Sequence, residues 1–389
     1  MKAGWIATAL AGLWLLVPRP PLQAPLLARG PYLQSTTRDS TLVVWQTDAT
    51  GDGVVEYGES DYALSARDPE LATTHVVALA GLSAGRTYRY RIRTAGVVLH
   101  EALFTTAPDS AGEFGFVVFG DSGADVSTQS AVSKQMQAAS PDLILHTGDV
   151  IYPAGQAEGY DPFFFAPYRD LLDRAPVFPT PGNHDIVTSD GAPYLDAFYL
   201  PANNPADTER YYSFDWDGAH FISLDSNRLF PAPDAAMLNW LEADLAASAA
   251  RWKFVFFHHA IYSSGPHGRQ DAYVRPMRDA LAPLFERHAV DLVFNGHDHI
   301  YERTTPRRDY APGSSGVVYV VSGGGGASLY PVHAQPFTAF ASSVHHAVEV
   351  RVAGCVLSLR AVDATGAMFD RIALSKCSPP TYLPRIMKR

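Results

Sequence analysis

Residues 29–108 alternate between apolar and polar positions with a period of two. The clearest runs are TLVVWQT, GVVEYGE and TYRYRIRT, and spacers rich in Gly, Asp and Ser separate them. Such alternation is typical of β-strands with one buried face. Because no long helical period accompanies it, the pattern predicts an all-β sandwich over residues 29–108.

The pattern changes at Phe114 to short apolar strands that alternate with amphipathic helices. The apolar runs are FGFVVFGD, DLILHTGD, HFISLDS, KFVFFHH, VDLVFNGHDH and GVVYVVSGGGG, as expected for strands covered on both faces. Helical spacing is found in STQSAVSKQMQAAS, AAMLNWLEADLAAS and YVRPMRDALAPLFERH. We therefore predict an α/β layered domain over residues 114–376, a tight turn at the four glycines 323–326, and a C-terminal tail at 377–389.

The N-terminus has the features of an export signal. Lys2 precedes an uncharged apolar stretch, residues 3–17, and prolines follow. A membrane-spanning helix needs roughly 20 apolar residues, so this stretch favours a signal peptide over residues 1–28, cut after Ala24 or near Ala28. An uncleaved N-terminal anchor is the alternative. The prediction is a secreted or periplasmic protein with no stable membrane span in its mature form.

The chain has two cysteines, Cys355 and Cys377, which stand at equal distances from Gly366. Two alternating runs meet at a turn near that glycine, so a β-hairpin would place the cysteines opposite each other. In an exported protein this pairing favours a disulfide, and the alternative is two buried thiols.

The net charge of the 389 residues is -10 at pH 7. This charge argues against a nucleic-acid or anionic-lipid partner, either of which would need a basic surface. A small anionic substrate stays compatible with it, provided that metal ions dominate the local charge at the site.

Residue types that bind metals recur where the apolar strands end. These residues are Asp121; Asp149 and Tyr152; Asn183, His184 and Asp185; His258 and His259; and His297 and His299. Because sites in open α/β sheets form beyond the carboxyl ends of the strands, we expect these loops to converge. Carboxylate, amide, imidazole and phenol without thiolate suit Zn, Fe or Mn. The donors exceed the needs of one ion, which predicts two ions that share a carboxylate.

Together these motifs resemble those of the purple acid phosphatases, within the calcineurin-like metallophosphoesterases. The family pattern GDxG, GDxxY, GNH(D/E), VxxH and GHxH is found at residues 120–123, 148–152, 182–185, 255–258 and 296–299. The N-terminal part resembles a fibronectin type III module, whose tyrosine corner matches Leu82, Gly85 and Tyr88. The resemblance implies an αββα sandwich for the catalytic domain.

The resemblance also implies a role for each residue. Asp149 would bridge the ions; an Fe(III) site would be completed by Asp121, Tyr152 and His299, and a divalent site for Zn, Mn or Fe by Asn183, His258 and His297. His184 and His267 would be catalytic groups that contact the phosphate, with His267 protonating the leaving alkoxide. His259 is not assigned as a ligand, since neighbouring side chains of a strand point to opposite faces.

Tyr152 favours Fe(III) in particular. A free phenol has a pKa of about 10, and a trivalent cation can displace its proton. The resulting hypothesis is an exported phosphatase that hydrolyses phosphate monoesters by attack of a metal-bound hydroxide. The alternatives are a phosphodiesterase or nucleotidase with two divalent ions, and a non-catalytic surface protein whose metals only stabilise the fold.

Overall fold

The computed structural model describes residues 24–109, 112–308, 311–312 and 316–377. Most of the predicted signal peptide, residues 1–23, and most of the predicted tail, residues 378–389, lie outside the described residues. The first strand begins at Leu27, so a cut after Ala24 would leave this strand whole. Within the described ranges, the helices are too short or too polar to cross a membrane.

Twenty strands and six α-helices make up the described fold. The strands are β1 Leu27–Gln34, β2 Ser40–Gly58, β3 Leu64–Ala80, β4 Thr87–Thr94, β5 Val97–Thr105, β6 Glu113–Phe119, β7 Leu143–His146, β8 Val177–Pro179, β9 Tyr212–Trp216, β10 Ala219–Ser223, β11 Trp252–Phe256, β12 Leu292–Asn295, β13 Tyr301–Thr304, β14 Arg307–Arg308, β15 Ala311–Pro312, β16 Val318–Ser322, β17 Thr338–Ser342, β18 His346–Ala353, β19 Val356–Asp363 and β20 Met368–Ser375. The helices are α1 Val126–Ala139, α2 Arg169–Leu172, α3 Ala192–Ala197, α4 Ala235–Ala247, α5 Pro266–Gln270 and α6 Val274–Arg287.

The N-terminal part is all-β, as predicted. Its five strands form one sheet with the order β1-β2-β4-β5, and β3 also pairs with β2, which is long and bulged. The predicted tyrosine corner is present: the Tyr88 hydroxyl accepts a hydrogen bond from the Ser83 backbone N–H at 2.9 Å. Leu82 is buried in the same core cluster as Tyr88. The bounds of the predicted domains, 29–108 and 114–376, stay predictions.

Two larger sheets form the rest of the molecule. One has the order β17-β13-β16-β12-β11-β10-β9 and the other β20-β19-β18-β6-β7-β8. Their central strands are parallel: β10, β11, β12 and β16 in the first sheet, and β6, β7 and β8 in the second. Phe116 of β6 contacts Phe221, Phe254 and Phe294 of the other sheet at ring-centroid distances of 5.3, 5.2 and 6.0 Å. The sheets therefore pack face to face.

Helices cover the outer faces of both sheets. Helices α4 and α6 bury Leu241 and Leu281 in a cluster with Val255 and Val293 of the first sheet, whereas α1 packs against β18 and β19. The Asp234 side chain caps α4 by accepting hydrogen bonds from the backbone N–H groups of its first turn. The layers confirm the predicted αββα sandwich, with strands buried on both faces as their apolar runs indicate.

Buried hydrogen bonds join the N-terminal sheet to the segment between β7 and β9. The Tyr32 hydroxyl donates to the Ala197 carbonyl at 2.9 Å, and the Tyr90 hydroxyl donates to the Asp173 carbonyl at 2.7 Å. The all-β part thus packs directly against loops that follow the site-bearing strands.

The predicted hairpin and its disulfide are both present. Strands β19 and β20 pair in antiparallel register, and Cys355 and Cys377 form a disulfide directly beyond the last pair. This confirms the disulfide and excludes the alternative of two free thiols for this pair.

Candidate metal centre

The carboxyl ends of five parallel strands carry the predicted ligands. Asp121 follows β6, Asp149 follows β7 and Asn183 follows β8, while His258 and His297 follow β11 and β12 of the facing sheet. Because parallel strands end at the same edge, the loops of both sheets meet there. The structure brings all seven predicted ligands together at this edge.

The first group of donors surrounds the Tyr152 hydroxyl. This oxygen lies 3.2 Å from Asp121 Oδ1, 2.9 Å from Asp149 Oδ2 and 3.0 Å from His299 Nε2. Asp121 Oδ1 and His299 Nε2 are themselves 3.5 Å apart. The four side chains predicted for the Fe(III) site therefore point to one centre.

The second group surrounds His258 Nε2. This nitrogen lies 3.0 Å from Asn183 Oδ1, 3.0 Å from His297 Nδ1 and 3.3 Å from Asp149 Oδ2. The nearest donor atoms of Asp149, His258 and His297 all lie within 4.8 Å of one another, a spacing that can hold a metal ion. Asp149 Oδ2 thus faces both groups, which is the position of a bridging carboxylate.

The second ring nitrogens of the histidines are held by backbone carbonyls. His258 Nδ1 lies 3.0 Å from the Thr147 carbonyl oxygen, and His299 Nδ1 lies 2.7 Å from that of Ser328. In a neutral imidazole, a ring N–H that donates to a carbonyl leaves the opposite nitrogen with a free lone pair. In both residues that opposite nitrogen is Nε2, which faces the centre.

The loops hold the ligands in a backbone conformation that is uncommon for residues other than glycine. Asp121, Asp149 and His297 have φ values of 57°, 54° and 68°. Strained conformations of this kind persist only where surrounding contacts fix them, and they cluster at functional sites. The neighbouring Gly182 allows the closest approach, since a Cβ there would lie 2.1 Å from Asp149 Oδ1.

Asp185 ties two of these loops together. Its buried carboxylate accepts hydrogen bonds from the backbone N–H groups of Val150, Ile151 and Gly182 at 2.9–3.2 Å. Burial and the nearby Asp149 charge raise the pKa of Asp185 to about 7, although these N–H groups oppose the shift. Asp185 thus fixes the loops that carry Asp149 and the GNHD motif.

Burial sets the protonation of the centre. It raises the pKa of Asp121, with Asp149 adding to this shift, and it raises the pKa of Tyr152 well above 10. Burial also opposes protonation of His258, but Asp149 and Asp121 outweigh it and raise its pKa to about 9. The His299 pKa falls to about 4 because the ring is buried. Tyr152 therefore keeps its proton unless a cation displaces it.

The donor set fits metal ions. Asp121 and Asp149 are 0% and 1% exposed, and their ion-pair partners among the described residues are His184, His258 and His299. Buried carboxylates that face one another are costly unless cations compensate them. The oxygen and imidazole nitrogen donors suit iron, zinc and manganese.

Three further histidines that the sequence placed near the site, but not as ligands, lie around the donor groups: His184, His259 and His267. His184 Nε2 lies 4.0 Å from Asp149 Oδ2 and its side chain is 35% exposed. The His267 ring lies over that of His297 with a centroid distance of 4.1 Å. His259 turns away to Ser226, whose Oγ is 2.8 Å from its Nδ1, in agreement with its exclusion from the ligands.

Sequence reasoning missed several residues that support the centre. Asp271 contacts His267, Asp298 accepts hydrogen bonds from α5, and Tyr330 stacks on His299 at a centroid distance of 4.2 Å. Asp271 stands four residues after His267, and Asp298 lies inside the GHDH motif, so their positions carried a signal. Tyr330 comes from a loop without regular periodicity and carried none.

Comparisons with known proteins identify similar sequences and a similar fold. The calcineurin-like phosphoesterase family matches residues 114–301. Purple acid phosphatase 15 of Arabidopsis thaliana is 29% identical over 287 residues, which cover 65% of this chain and 53% of that protein. Acid phosphatase type 7 of Danio rerio is 28% identical over 330 residues, 73% of each protein. The chain thus spans about half the length of the first relative and nearly three quarters of the second.

A solved structure shares the fold across most of the chain. It is the purple acid phosphatase PPD1 from yellow lupin (Lupinus luteus) seeds, with a TM-score of 0.76 and 21% sequence identity, covering 90% of this chain and 74% of that one. At this identity the likeness describes the fold. Residues 114–301 therefore match the calcineurin-like phosphoesterase family, and the chain is similar to proteins named purple acid phosphatase and acid phosphatase type 7.

Proposed function

We propose that this protein is an exported phosphatase that hydrolyses phosphate monoesters with the aid of Fe(III) and a divalent Zn, Mn or Fe ion. One observation carries the proposal: Asp149 Oδ2 lies 2.9 Å from the Tyr152 hydroxyl and 3.3 Å from His258 Nε2. A single carboxylate oxygen thus lies close to donor atoms of both groups.

The charges of the two groups support an unequal pair of ions. Asp121, Tyr152 and the shared Asp149 offer up to three negative charges, which suits a trivalent ion. Asn183 is a neutral donor, and His258 and His297 are neutral when they bind an ion, so the shared Asp149 supplies the charge on that side, which suits a divalent ion. When bound, the ions would supply Lewis-acid activation of the phosphate ester and of the attacking water.

Two of the further histidines support a phosphate substrate. His184 and His267 have side chains that are 35% and 32% exposed beside the buried donors, so a ligand at the centre can reach them. Imidazolium groups stabilise the charge that gathers on phosphate oxygens in the transition state. His267, as an imidazolium, would also donate a proton to the leaving alkoxide and become a neutral imidazole.

Export is supported by two features of the chain. The apolar stretch at residues 3–17 fits a signal peptide, and Cys355 and Cys377 form a disulfide. Disulfides persist in oxidising compartments such as the periplasm and the extracellular space.

The test is turnover of p-nitrophenyl phosphate and bis-p-nitrophenyl phosphate by protein loaded with iron and zinc. We expect the monoester to be hydrolysed faster, and Asp149→Ala to lose both turnover and metal. Asp279→Ala is a matched control, since Asp279 is an exposed residue of α6 that pairs with Arg275. Faster hydrolysis of the diester would favour the phosphodiesterase alternative, and no turnover of either ester by fully metallated protein would favour a non-catalytic role.

A further inference from the structure

The short helix α5 is fixed to the loop that carries two of the predicted ligands. Asp298, which stands between His297 and His299, is fully buried. Its carboxylate accepts hydrogen bonds from the backbone N–H groups of His267 at 3.0 Å and Gly268 at 2.8 Å. The position of α5 relative to the GHDH loop is therefore set by two charge-assisted hydrogen bonds.

This arrangement places the Asp271 carboxylate between two histidines. Residues four apart on a helical turn are neighbours, and Asp271 Oδ2 lies 2.9 Å from His267 Nδ1. The same oxygen lies 3.6 Å from His297 Nε2. The second distance is longer than a hydrogen bond, and a small rotation of the Asp271 side chain, which is 35% exposed, would close it.

The orientation of the His297 ring makes this contact significant. Its Nδ1 faces the centre, 3.0 Å from His258 Nε2. If Nδ1 binds a cation, the ring proton must be on Nε2, the atom that faces Asp271. Ligand histidines usually donate their second N–H to a carboxylate or carbonyl, which fixes the ring and raises its basicity. His258 and His299 have backbone carbonyls at hydrogen-bond distance for this purpose, whereas His297 Nε2 faces the Asp271 carboxylate at 3.6 Å.

We propose that Asp271 is a positioning residue that accepts N–H groups from both the ligand His297 and the outer His267. It would keep the Nδ1 lone pair of His297 directed at the divalent ion. It would also keep Nε2 of His267, the ring nitrogen that does not contact Asp271, directed at the substrate. This inference rests on the proposed metal-dependent phosphatase function and assigns to it a further residue.

The same three side chains could instead hold an additional cation, because their donor atoms lie within 4.8 Å of one another. The hydrogen-bonded arrangement is favoured, since a cation at Nε2 would require His297 to bind metals through both nitrogens and to lose its last ring proton. The two arrangements differ in the number of ions bound.

The experiment titrates metal-free protein with Zn²⁺ against a chromophoric chelator. We expect Asp271→Ala and the equally shaped Asp271→Asn to lower the zinc affinity of one of the two sites about 10-fold or more, which is the usual effect of losing such a carboxylate. The zinc affinity of the other site should stay unchanged. His267→Ala should leave both zinc affinities as in the wild type, because His297 keeps its partner. Asp279→Ala is the exposed control.

A second readout is the rate of hydrolysis for esters with different leaving groups. Asp271→Asn and His267→Ala should both slow an alkyl phosphate more than p-nitrophenyl phosphate, since p-nitrophenolate leaves without protonation at neutral pH. Asp271→Asn carries the test if Asp271→Ala does not fold.

Two zinc affinities equal to those of the wild type in both Asp271 variants would overturn the inference, as would a third zinc ion that binds the wild type and is lost in these variants. A wild type that binds no pair of ions would overturn the proposed function as well. The two failures are therefore distinguishable.

Discussion

Gly182→Ala tests whether contact between loops holds the shared carboxylate in place. A Cβ at this position would lie 2.1 Å from Asp149 Oδ1 and 2.2 Å from the Asp149 backbone nitrogen. An ordinary contact needs about 3.5 Å, so the loops would have to separate by about 1 Å. Because one of the atoms belongs to the backbone, a side-chain rotation cannot relieve the overlap.

The expected result is a large functional loss with a smaller loss of stability. A displacement of about 1 Å in an active site can lower the rate about 100-fold, and overpacking typically costs about 1–3 kcal/mol. Asp149 faces both donor groups, so both ions should bind more weakly. The assays are metal content, kcat for p-nitrophenyl phosphate, and the free energy of unfolding from urea denaturation.

Gly81→Ala is the matched control, because Gly81 lies in the N-terminal part, has a φ of 72° and has no atom within 4 Å of a built Cβ. It should lower stability by about 1 kcal/mol through its backbone conformation alone and leave the metal content and kcat unchanged. A Gly182→Ala protein with the metal content and kcat of the wild type would refute the reasoning.

Three further predictions concern single side chains. Tyr152→Phe removes the hydroxyl at the first donor group and should abolish a phenolate-to-iron absorption band; a persistent purple colour would contradict its assignment as a ligand. Burial disfavours protonation of His220, but hydrogen bonds to Asp215 and Asp244 outweigh it and raise its pKa to about 9. The resulting stabilisation, about 3 kcal/mol, is complete below about pH 6.5 and is lost as the pH rises through 9, so unfolding free energies at pH 6 and 10 should differ less in His220→Gln than in the wild type. Asp185→Ala leaves three backbone N–H groups without their acceptor and should lower the free energy of unfolding by about 3 kcal/mol, which a wild-type urea midpoint would disprove.

The fold was largely predictable because its strands carry strong local signals. Strands of the two central sheets are covered on both faces and read as continuous apolar runs, while strands of the N-terminal sheet alternate. The convergence of the predicted ligands was predictable for a related reason: five motifs of metal-binding residue types recur at strand ends, and loops at the carboxyl ends of parallel strands meet at one edge.

Contacts between segments distant in sequence were not predictable. The glycines 323–326 were interpreted as a tight turn, but the backbone there passes against the Asp121 loop, and a Cβ on Gly325 would lie 2.3 Å from the Gly120 carbonyl oxygen. Glycine is needed at these positions because a side chain would collide with the neighbouring segments, and not because the chain makes a tight turn there. In the same way, the approach of Asp271 to His297 depends on where α5 packs, and no local pattern specifies that position.

The most direct test of the central claim is the metal content of the purified protein. It is measured by elemental mass spectrometry, with the protein concentration taken from amino-acid analysis. Our account predicts two ions per chain, at least one of them iron, and the loss of both from Asp149→Ala because this residue faces both donor groups. A single ion per chain, retained equally by the wild type and Asp149→Ala, would contradict it.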